Sequence, residues 1–168
     1  MSKALILLLG LAVLSQASPV KLTQSFFSDN YSGLKEFVQG LLDGYNDRQM
    51  DLPSNCLNSD SQSKLDEDVV AMLKAILRVN VEKFIEELYI FEGDLTAVVD
   101  DCGLTEIVDN YQQDVRKNGK LWVITNFFWH FYEIQEYALE CLEHILEEQW
   151  YKAGEKFGKM IDYVVPHS

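Results

Sequence analysis

The chain has 168 residues, with 27 acidic and 14 basic side chains and a net charge of −13. That length suits one domain with a real core. The negative charge disfavours nucleic acid and anionic membrane surfaces as partners, and it marks a solvated helix surface that resists non-specific self-association.

Residues 1–17, MSKALILLLGLAVLSQA, read as a secretory signal peptide. Lys3 is the single positive charge, the apolar run from Ala4 to Leu14 is too short to span a bilayer, and Ser15 and Ala17 are the small residues a signal peptidase reads. Cleavage removes one base and no acid, leaving the mature chain one unit more negative. Residues 18–30 form an N-terminal tail. Asn30-Tyr31-Ser32 is a glycosylation sequon whose Asn30 could equally cap the helix that follows.

The first helix is expected over 31–45, with Leu34, Phe37, Val38, Leu41, Leu42 and Tyr45 inward. Gly40 and Gly44 lie beside that stripe, and the same spacing returns as Gly154 and Gly158. The first and last helices are expected to cross closely at these four glycines, although the spacing is a rule of membrane helices; the alternative is that the glycines admit a ligand. A polar loop, 46–63, carries Pro53 and Cys56. The second helix starts near Ser63 with Asp66, Glu67 and Asp68 in its first turn, where acids suit the helix dipole. The pattern loosens at 78–80. A third helical stretch covers 81–91, with an interruption expected at Glu92-Gly93 and a stop at Cys102-Gly103. A fourth runs over 104–116 and ends at Asn118-Gly119.

Residues 121–165 complete the bundle as a central post, one long helix or two end to end with the break near 147–150. Its apolar stripe is Leu121, Ile124, Phe128, Tyr132, Leu139, Leu142, Leu146, Trp150, Phe157, Met160, Ile161 and Val164, taken as the buried face. Trp122, Phe127, Phe128, Trp129, Phe131 and Tyr132 surround the first turns. They suit a thick core, a hydrophobic ligand site or an interface. The fold class is all-α: one helical bundle of about five helices over 31–165.

The chemistry is sparse. HExxH, GxSxG and inward Glu-xx-His pairs are absent. An EF-hand loop fails at Tyr45. Glu140, Glu143, His144, Glu147 and Glu148 are best read as an exposed acidic face. No catalytic residue, cofactor or metal is expected. Of the three cysteines, Cys56 and Cys102 fall at element ends, where a crosslink is easily placed, and Cys141 falls mid-helix as a buried thiol; a Cys141–Cys141 bridge between two copies is the alternative.

Gly40-Leu41-Leu42-Asp43-Gly44 ahead of Cys56, Cys102 two helices later, Asn126, and the closing run from Tyr151 to Met160 together resemble the small secreted helical proteins common in ciliates. The resemblance covers most of the mature chain. It implies a signal peptide, a helical bundle and a disulfide between Cys56 and Cys102. It implies no activity. The expected function is a secreted, non-enzymatic interaction or structural module, with an unknown protein partner or self-assembly. The alternative is a carrier of a small hydrophobic ligand within the bundle.

Overall fold

A computed structural model describes residues 26–27, 31–47, 49, 52–53, 59–103 and 105–166. The expected signal peptide, most of the N-terminal tail, Asn30 and Cys56 lie outside these residues. Six α-helices are found among them, and no strand: α1 Tyr31–Asn46, α2 Ser59–Leu77, α3 Val81–Asp101, α4 Thr105–Trp129, α5 Phe131–Leu146 and α6 Trp150–Val164. They form a single all-helical domain. None is long and apolar enough to cross a membrane.

The most extensive packing is between α1 and α6. The two helices run in the same direction, so that Phe37 faces Gly154 and Leu41 faces Gly158. Hydrophobic periodicity places Leu34, Phe37, Val38, Leu41 and Leu42 of α1 and Phe157, Met160, Ile161 and Val164 of α6 inward, all of them buried. The Phe37 ring meets Phe157 at 5.7 Å, and Phe91 of α3 meets Phe157 at 5.6 Å, so one side chain joins three helices. The ends of the pair are tied by polar contacts. The Tyr45 hydroxyl donates to the Val165 carbonyl (3.3 Å), and the Asn126 amide of α4 donates to the Val164 carbonyl (3.2 Å). The backbone N–H groups of Phe26 and Phe27 donate to the two carboxylate oxygens of Asp66 (2.9 and 3.2 Å), which seats the Phe27 ring against Phe37 and Trp150.

The helix ends explain where the chain departs from its periodicity. The loosening at 78–80 is a full break. Val79 N–H donates to Ile76 O and Asn80 N–H to Ala75 O, a Schellman closure, and the Asn80 side chain then caps α3 through Lys83 N–H (3.0 Å). Val79 holds φ 55 there, a strained value for a β-branched residue. The break expected near 147–150 has the same form: Glu148 N–H donates to Ile145 O, Gln149 N–H to His144 O, and Glu148 sits at φ 56. Gly119 (φ 76) divides α4 at the expected Asn118-Gly119 position.

Two expectations are corrected. Glu92-Gly93 does not interrupt α3, because Phe91 before it and Val98 and Val99 after it are all buried on one continuous helix. One glycine costs about 1 kcal/mol there, less than that burial returns. The central post, in turn, has a second break at His130 (φ −110, ψ 18). The last bond of α4, from His130 N–H to Asn126 O, and the first of α5, from Ile134 N–H to His130 O (both 2.9 Å), end on this one residue, so α4 and α5 are separate helices joined at His130.

Candidate interaction surface

The apolar stripe read as the buried face of 121–146 is largely the face turned to solvent. Leu121 is 76% exposed, Phe128 63%, Leu146 67%, Leu139 41% and Tyr132 38%, while Ile124 and Leu142 are half-buried. The side chains that enter the core are instead Val123, Phe127, Ile134, Ala138, Cys141 and Ile145. The physical reason lies in composition. Around 121–132 every side of the helix is apolar, so two stripes of helical period coexist, and periodicity does not say which one the neighbours cover. Farther along, in α6, where only one face is apolar, the expected residues Phe157, Met160, Ile161 and Val164 are the buried ones.

The aromatic cluster divides accordingly. Phe127 is fully buried, with its ring 5.0 Å from Phe84 and 5.5 Å from Phe131. Trp122 and Phe131 are half-buried against the core. Phe128 and Tyr132 face out, and Trp129 is 80% exposed. Exposed Trp and Phe at this density, beside Leu121, make a contiguous apolar patch of the kind that marks binding sites on soluble proteins. Charged residues edge the patch unevenly: Lys117 and Lys120 at its start, Glu136, Glu143, Glu147 and Glu148 along and beyond its far half, all exposed.

The remaining expected sites are structural in their geometry. Among the described residues no three His, Cys, Asp or Glu side chains gather so as to hold a metal ion. Glu140 pairs with Lys156 of α6 at 2.7 Å, and that ammonium lies over the Tyr137 ring. Asp43 accepts from the Tyr151 hydroxyl (2.8 Å) and the Gln39 amide (3.0 Å), and the bond to Asp43, with burial, pushes the Tyr151 phenol up to about 12. The four glycines meet where α1 crosses α6. A β-carbon on Gly40 would collide with the Tyr151 carbonyl and lie 2.9 Å from Glu155 N; one on Gly154 would collide with the Phe37 carbonyl and lie 2.9 Å from Leu41 N. Cys102 is disulfide-bonded. Cys141 is a free thiol in the core, and burial pushes its pKa up, which makes it inert.

One titratable group was not legible in the sequence. Asp68 on α2 is buried and faces Asp94 of α3, with Glu87 and Glu67 nearby; burial first, then Asp94, push its carboxyl up to about 7. The cations of this corner serve other acids: Lys64 approaches Asp94 (3.8 Å) and Lys83 pairs with Glu87 (2.6 Å). The folded chain therefore keeps a proton on Asp68 that the unfolded chain releases near pH 4. The folded state binds more protons between these values, so this group's contribution to stability falls as pH rises from about 4 to about 7 and is level above. Asp68→Asn, which keeps the shape and donates to Asp94, is expected to flatten that slope and to raise stability at pH 7.5 by about 1–2 kcal/mol. Urea midpoints measured across the pH range check it.

No family model, no curated protein and no solved structure matches the chain.

Proposed function

We propose that the protein is a secreted, non-enzymatic helical module that works by contact with another protein through the outer face of α4 and α5. One observation carries the reading: Leu121, Phe128, Trp129 and Tyr132 lie side by side in solvent at 38–80% exposure on a chain that is otherwise strongly acidic. Exposed apolar rings of this size lower solubility, and a contact surface is the usual reason for them. Against a carrier role, the rings nearest the bundle interior already fill one another's space, as Phe84, Phe127 and Phe131 do. Secretion rests on residues 1–17, and the oxidised state of Cys102 accords with an oxidising compartment. We read Cys56 as the partner of Cys102. In the chain-entropy picture a loop of that length contributes about 4 kcal/mol.

Native mass spectrometry of the mature protein from a secreting host, beside a denatured, non-reduced run, tests this. The expected denatured mass lacks residues 1–17 and two hydrogens, with Cys141 unalkylated until the chain is unfolded. The expected native mass carries no small molecule. An apolar molecule of a few hundred daltons lost on denaturation would replace the contact module with a carrier.

A further inference from the structure

We infer that the partner of the α4–α5 outer face is a second copy of the same chain, docked antiparallel about a two-fold axis that passes between residues 133 and 134. The inference rests on the reading of that face as a contact surface. It is carried by register, by charge and by area.

The exposed and half-buried residues of the face are spaced alternately by four and three: Leu121, Thr125, Phe128, Tyr132, Gln135, Leu139, Leu142 and Leu146. This is a heptad spacing in which Thr125, Tyr132, Leu139 and Leu146 take one core position and Leu121, Phe128, Gln135 and Leu142 the other. The seam runs from α4 into α5, and the one residue between the two helices is His130, whose N–H makes the last bond of α4 and whose carbonyl accepts the first bond of α5. A core-facing helix needs no such strict pattern on its solvent side. In an antiparallel pair, each residue of one class packs against one of the other class. A single axis then brings Leu121 onto Leu146 of the second copy, Thr125 onto Leu142, Phe128 onto Leu139 and Tyr132 onto Gln135. All four layers close on the same axis, as a self-complementary interface requires.

Charge selects the orientation. Antiparallel docking sets Lys120 of one copy beside Glu147 of the other, with Glu143 and Glu148 on the same end. Parallel docking would set those acidic ends side by side and stack Gln135 on Gln135. Phe, Tyr and Trp side chains carry about 150–250 Å² each, so the exposed shares of Phe128, Trp129 and Tyr132 alone offer roughly 400 Å². That is half of the ~800 Å² per partner of a standard interface, before the leucines are counted.

The test is sedimentation velocity of the full mature chain from low micromolar to sub-millimolar concentration, joined with cysteine cross-linking. A concentration-dependent dimer is expected. Phe128→Ser should weaken it about tenfold or more while leaving the circular dichroism and melting temperature of the monomer unchanged. Copies with Thr125→Cys should cross-link to copies with Leu142→Cys and not to each other. Cross-linking of Thr125→Cys copies to each other, or an unchanged dissociation constant for Phe128→Ser, overturns the proposed pairing. A monomer at every concentration with no bound apolar mass overturns the second copy and leaves the face to a different protein. A monomer carrying an apolar molecule overturns the contact reading as well.

Discussion

Replacing Gly154 by alanine is expected to lower the melting temperature by about 6–12 °C. Alanine ordinarily stabilises a helix interior by about 1 kcal/mol over glycine, so the sign itself is diagnostic. At Gly154 the added methyl would strike the Phe37 carbonyl, with Leu41 N 2.9 Å away, and both obstacles are backbone atoms of α1. Neither can turn aside as a side chain would, so the two helices must separate along their length. Overpacking of a filled core costs about 1–3 kcal/mol, and this site lies at the upper end. A domain of this size loses about 2–4 °C per kcal/mol. Gly40, Gly44 and Gly158 should behave alike, since each meets the facing backbone, and double replacements should be less than additive because one separation relieves both. Gly93→Ala is the control: nothing lies within 4 Å of the methyl it would add, and a rise of a few degrees is expected. Thermal melts by circular dichroism decide the matter. Equal effects at Gly93 and Gly154 would show that α1 and α6 do not touch backbone to backbone.

The neighbouring phenylalanines of α4 should respond in opposite ways. Phe127→Ala is expected to cost about 3–5 kcal/mol, the range for emptying a fully buried ring site, because its ring is held between Phe84 and Phe131. Phe128→Ala should change monomer stability by less than about 0.5 kcal/mol, as exposed positions do. Chemical denaturation at low protein concentration reads both. If Phe128→Ala proved as costly as Phe127→Ala, the outer face would be a buried one, and the interaction surface with it would be withdrawn.

Some of this molecule is written in local chemistry. The apolar spacing of α1 alone sets its span to within one residue, and the single apolar face of α6 names the side chains that enter the core. Asn118-Gly119 marks its bend because glycine accepts φ 76 where other residues resist it. The breaks after α2 and α5 fall at the expected 78–80 and 147–150. They use the same closure with Val79 and Glu148 where glycine is expected, so the residue that signals a helix end is missing while the geometry is present. Gly93 is the converse, a breaker residue carried inside a helix by burial on either side.

What the linear order could not decide is which of two apolar faces on 121–146 goes inside. Helical period is a property of one segment, whereas burial is a property of the pair, set by where Phe84, Phe91 and the glycine-lined crossing of α1 and α6 place their surfaces. The Asp68–Asp94 corner belongs to the same class, since the two carboxyls come from different helices and meet only when α2 and α3 pack. Composition and spacing thus determined an acidic, all-helical chain with two glycine pairs suited to close approach. The tertiary packing alone decided that Phe127 is core, that Phe128 and Trp129 are surface, and that an apolar face of 121–146 is left exposed.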